Sequence, residues 1–159
     1  MDTQTDVAVE PAAGPASEAV RQAKALREGV RARMIVVEAA VTRPVGNDEP
    51  AWWAGVLEAL TELRDAFRHH ITATEAEGGL HDEIVRYAPR LAHARNRLVR
   101  DHVNLAAMLD SLCASSPPPG GATRARDAVV ELLGRLSQHR HRGAEFVYDA
   151  YTFDIGEGD

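Results

Sequence analysis

The sequence predicts an all-α fold, an antiparallel up-down four-helix bundle, and three observations predict it. Four long stretches carry large apolar residues every three or four positions, the spacing that gathers them on one face of a helix. Breaks rich in Pro and Gly separate those stretches. Nowhere does apolar–polar alternation persist long enough for a strand. Long amphipathic helices joined by short breaks bury their stripes against one another. At 159 residues and 45% hydrophobic content, the chain suits one domain with a real core.

Residues 1–17 are acidic, rich in Ala and Pro and poor in large apolar groups, so they predict a disordered arm ahead of a bundle over 18–159. The first helix is expected from about Ser17 to Val41, with Val20, Ala23, Leu26, Val30, Met34 and Val37 on one face. The stretch TRPVGNDEP ends it. A second helix follows from about Ala51. Pro50 suits its first turn, and Asp48 or Glu49 suits the positive end of the helix dipole. Val56, Leu60, Leu63, Phe67 and His70 are in phase, and Gly78-Gly79 predicts the stop. LHDEIVRYA reads as a short helix or turn. Pro89 then opens a third long helix striped by Leu91, Leu98, His102, Leu105, Leu109 and Leu112. ASSPPPGGAT is a loop. The fourth helix is expected from about Arg124 to Ala150, with Val129, Leu132, Leu133, Leu136, His139, Gly143 and Phe146 inward. The tail from Asp154, with Gly156 and Gly158, predicts no helix.

Composition excludes several functions. A net charge of -6 with no basic face argues against a nucleic-acid partner. The single cysteine, Cys113, allows no internal disulfide framework and fits a reducing cytoplasm. The first residues have neither the basic start nor the apolar core of a secretory signal. No apolar run approaches the roughly 18–20 residues of a membrane span. No phosphate-binding Gly loop, nucleophile elbow or zinc-knuckle spacing is present, so nothing supports an enzyme of organic substrates. Trp52 and Trp53 open the second helix, where packing over a bundle end is expected. Arg95, Arg97 and Arg100 with Asp101 read as a solvated face.

The seven histidines all lie between positions 69 and 141. Helical phase sorts them, because successive residues turn by about 100°. His70 follows the inward direction set by Leu63 and Phe67, and His69 does not. His102 is bracketed by Leu98 and Leu105; His93 lies off that stripe. His139 is bracketed by Leu136 and Gly143. His141 turns about 200° away from it. His141 and Glu145 therefore read as a solvent-side pair worth a few tenths of a kcal/mol. Three helices thus each aim one histidine inward. Every buried imidazole needs partners for its polar nitrogens. One metal ion satisfies all three at once. The alternative is a separate partner for each ring: a water, a Thr or a carboxylate.

RHHITATEAEGGL, APRLAHARNRLVRDH and HRHRGAEFVYDAYTFDIGEGD together resemble the hemerythrin-like proteins with an HHE-type cation-binding domain, over about residues 20–159. The ending YTFDIGEGD looks like that of many bacterial members. The resemblance implies a four-helix bundle with iron held between helices. It also implies activities such as reversible oxygen binding, iron or oxygen sensing, and handling of peroxide or nitric oxide. Carried over by position, it implies metal ligands His70, Glu75, His102 and His139. The chain departs from the family pattern in three places. The first helix has no histidine, Thr74 stands four after His70, and Gly143 stands four after His139. The register His141 with Glu145 restores one pair but conflicts with the apolar stripe. Two close iron ions repel strongly unless anions bridge them. The reduced set therefore predicts a single ion with an open position, or a cluster around water. Two functions follow. One is a metal-binding bundle, with iron, that senses or handles O2, NO or peroxide or holds the metal. The other is a metal-free interaction or structural module, dimeric through an exposed helix face.

Overall fold

The computed structural model describes residues 15–118 and 120–152. They form helices α1 (Pro15–Thr42), α2 (Glu49–Glu75), α3 (Leu80–Tyr87), α4 (Ala92–Cys113) and α5 (Gly121–Thr152), with a 3₁₀ turn at Pro89–Leu91. No strand occurs among the described residues. Four helices are long, and each packs on two others in the cyclic order α1, α2, α4, α5. The arm expected over residues 1–17 lies outside the described residues up to 14, and Pro15 already belongs to α1. The tail from Asp154 lies outside them too.

Local chemistry explains the boundaries. Asp48 caps α2 by accepting from the Ala51 backbone N–H at 2.9 Å, and Pro50 occupies the first turn. α2 ends at Glu75, short of the expected glycines. Gly78 has φ +72, and a Cβ on Gly79 would lie 2.7 Å from the Ala73 carbonyl oxygen and 2.8 Å from that of Ala76. That close turn requires glycine at 79 and delivers α3 back across the bundle. Pro89 forces its predecessor Ala88 to φ -126 and ψ 77, which breaks α3 and leaves a 3₁₀ turn ahead of α4.

One end of the bundle collects the end of α1, the start of α2, the end of α4 and the start of α5. Trp53 Nε1–H donates to the Ser115 carbonyl at 2.7 Å. Arg126 donates to the carbonyls of Val41 at 2.9 Å and Arg43 at 3.1 Å, closing the last turn of α1. The same guanidinium lies 5.4 Å from the Trp52 ring centroid. The two tryptophans therefore pack over the bundle end, as their position predicted.

The core has two parts. The larger runs from Val37, Trp53 and Leu109 through Leu60, Leu132 and Leu136 to Phe67. The smaller, under α3, holds Ala23, Leu80, Ile84, Leu98, Phe146 and Ala150. Between them lies a polar layer, His70, Thr74, His81, His102 and His139, all buried. These five are the buried polar residues among those described. No described helix is long and apolar enough to cross a membrane.

Candidate metal centre

His70 arrives on α2 three residues after Phe67, His102 on α4 four after Leu98, and His139 on α5 three after Leu136. Each carries the phase of its apolar stripe, so burying the stripes drives the rings into one layer. One nitrogen from each ring lies within 4.8 Å of one from each of the others. His102 Nε2 and His139 Nε2 are 3.1 Å apart. Phe67 floors the cluster: its ring stacks on His70 at 5.8 Å and meets His102 and His139 edge-on at 5.7 and 5.8 Å.

The outer nitrogens of two rings meet carboxylates. His102 Nδ1 contacts Glu75. His139 Nδ1 lies 3.3 Å from Asp101 Oδ2, which also accepts from Arg142 at 2.6 Å. An ionised carboxylate only accepts, so with both carboxylates ionised each Nδ1 carries the proton. The two Nε2 atoms that face each other then both present lone pairs. His70 Nδ1 is buried with no hydrogen-bond partner.

The cluster lines a small cavity with about 30 Å³ of room for water-sized centres. A single water needs about 10–15 Å³ on that measure, so an ion and one small ligand fit. Arg27 and Arg140 also line this cavity, from α1 and α5.

Compared with protein-family models, curated proteins and solved structures, the chain matches none of them.

Each residue expected at the site has a definite place. His70, His102 and His139 come together. Glu75 does not join the three converging nitrogens; it reaches the far nitrogen of His102. α2 runs to Glu75 in ordinary helical register, with the Ala76 N–H bonding the Thr72 carbonyl at 3.1 Å. Thr74, four residues after His70, spends its hydroxyl on the His70 carbonyl at 2.8 Å. Gly143 lines the cavity and leaves its Cβ direction open. His141 is 76% exposed and 3.2 Å from Glu145, the surface pair that phase predicted. His69 and His93 are exposed.

Two participants escaped the sequence reading. His81 on α3 is 5% exposed, stacks on His102 at 5.7 Å and 6°, and has an unpartnered Nδ1. Its signal was present: His81 adjoins Leu80 and stands three before Ile84, the buried face of α3. Asp101 is not part of a solvated run, because α5 packs over it and gives it His139 and Arg142. Only the approach of α5 reveals that role.

Burial sets the electrostatics. It pushes His70 down to about 3 and His81 to about 4, each helped by nearby positive groups. Burial also lowers His102 and His139; the Asp101 hydrogen bond partly offsets the latter. Burial raises the Glu75 carboxyl, with Arg95 opposing. In the fold these rings stay neutral, whereas unfolded histidines take up protons below about pH 6.5. The unfolded chain then binds more protons, so stability falls as pH falls from about 6.5 toward the folded values and is constant above. Each such histidine contributes up to about 1.4 kcal/mol per pH unit within that window. Urea unfolding in chelator between pH 7.5 and 5 checks this; constant stability over that range contradicts it.

Proposed function

We propose that the chain is a hemerythrin-like bundle of alternating up-down course that holds a single transition-metal ion, iron by preference, on His70, His102 and His139. One observation carries the reading: two imidazoles whose outer nitrogens are each committed to a carboxylate point their Nε2 atoms at each other. With both carboxylates ionised and no cation between the rings, either two lone pairs oppose or one ring takes an extra proton. Burial resists the extra proton. A metal ion resolves both, and carboxylate–histidine–metal relays are the usual way such ligands are oriented. The third ring, His70, supplies one more neutral donor. Bonds of about 2.0–2.1 Å put ligand atoms about 3.4 Å apart in a tetrahedral shell; the His102–His139 pair, at 3.1 Å, would open slightly, and the other pairs, all within 4.8 Å, need only a modest adjustment.

One ion suits this donor set and two do not. Among the described residues no carboxylate joins the three nitrogens to bridge a second positive ion, and unbridged charge of that size is costly in a buried layer. His70, His102 and His139 would hold the ion beside the cavity, where it would supply Lewis acidity or redox chemistry to a small ligand. The room beside it admits O2, NO or peroxide and little more. Sensing or handling such a ligand, or holding iron, in the cytoplasm is the function this supports. Arg142 holds Asp101 in place, and Phe67 and Phe146 keep the rings from bulk water.

Metal analysis of protein from iron-supplemented cells tests the proposal. About one ion per chain is expected, and titration with Zn²⁺ or Fe²⁺ should give one binding step. Glu75→Gln and Asp101→Asn keep the shape but remove the acceptor charge, and each should weaken the metal by about 10–100-fold. No uptake by a folded, helical protein would leave a metal-free scaffold or interaction module instead.

A further inference from the structure

α1 supplies no histidine, yet Arg27 of α1 lines the histidine cavity, as does Arg140 of α5. The same two arginines line a second, outer groove of about 400 Å³ between these helices, with Lys24, Glu28, Ala144 and Tyr148. They therefore form the boundary between the surface and the histidine layer. Neither makes a hydrogen bond or ion pair among the described residues, and Arg140 Nε is fully buried without a partner. Each is half-buried. Each also feels a like charge: Arg27 feels Arg140, and Arg140 feels Arg31. Glu28, the one carboxylate lining the outer groove, is exposed and attracts Arg27 only at a distance.

Two partly desolvated, mutually repelling guanidinium groups with no anion between them are costly to hold together. Guanidinium offers a flat fork of donors that matches two oxygens of a planar anion. We propose that the α1–α5 groove binds a planar oxyanion, either the carboxylate of an organic acid or an inorganic ion of the same shape, across Arg27 and Arg140. The bound anion offsets one of the pair's two positive charges, relieves their repulsion and closes the mouth of the histidine cavity. The arginines make this site by themselves, so it stands whether or not the histidines hold a metal.

The test uses the full chain in chelator, titrated with sodium formate, acetate or nitrate at constant ionic strength against sodium chloride, and followed by amide NMR shifts. Saturable binding at Arg27, Arg140 and their neighbours, at least ten-fold tighter than chloride, is expected. Tighter acetate identifies an organic acid, and tighter nitrate an inorganic ligand. Arg27→Gln and Arg140→Gln should each weaken binding at least ten-fold, Arg140→Lys should weaken it less, and Arg100→Gln on the outer face of α4 should not change it. Shifts equal to those with chloride, or glutamine variants that titrate like the parent, overturn the proposal. Failure of metal uptake leaves this titration untouched, so the two readings fail separately.

Discussion

His102→Ala is expected to abolish stoichiometric metal uptake while the helices stay folded. His102 is the hub of the polar layer. Its Nδ1 meets Glu75, its Nε2 faces His139, and its ring stands 5.2 Å from His70 and 5.7 Å from His81. Alanine removes a donor and releases the carboxylate that orients it, so bound metal should drop from about one ion per chain to below about a tenth. The rest of the α4 stripe, Leu98, Leu105, Leu109 and Leu112, remains to hold the helix. A circular-dichroism spectrum close to the parent's is the control. Linkage gives a second readout. Zinc at about 1,000 times its dissociation constant stabilises by about 4 kcal/mol, or about 8–16 °C in melting temperature at this size. That rise should vanish in His102→Ala. A variant that still binds one ion and still melts higher with zinc would remove His102 from the site.

The bundle and the three inward rings were legible because both are consequences of phase. A helix that buries Leu63 and Phe67 has little choice about His70, and the same holds for His102 beside Leu98 and Leu105. Phase also separated His139 from His141, although the literal His-x-x-x-Glu spacing favours the latter. What phase cannot give is the meeting of different helices. Asp101 lies well off the α4 stripe, and only α5, arriving with His139 and Arg142, makes it a half-buried partner. Glu75 was legible as a nearby carboxylate but not as an acceptor for His102, because that depends on where α2 ends relative to α4. His81 could have been read from the buried face of α3. The two arginines at the mouth sit on the edge of their stripes, where sequence does not distinguish solvated charge from half-buried charge.

Phe67→Ala should produce a large loss of stability. The side chain is 1% exposed and joins the main apolar core to the histidine layer, touching three of the four buried rings. Deleting a buried phenyl ring costs about 3–5 kcal/mol through lost transfer energy and the cavity left behind. One effect opposes this. The new space merges with the existing cavity of about 30 Å³ and admits water, which can partner the orphaned His70 Nδ1. A hydrogen bond of that kind returns only about 1 kcal/mol. The cavity wins, and a net loss of about 2–4 kcal/mol remains, read as a lower urea midpoint for the chelated protein. Phe67→Leu keeps most of the volume and should cost less. Water beside the rings also relieves their burial, so the acid destabilisation below about pH 6.5 should become shallower in Phe67→Ala. A loss below about 1 kcal/mol with an unchanged pH slope would mean that Phe67 does not wall the histidines off, and that the layer is already wet.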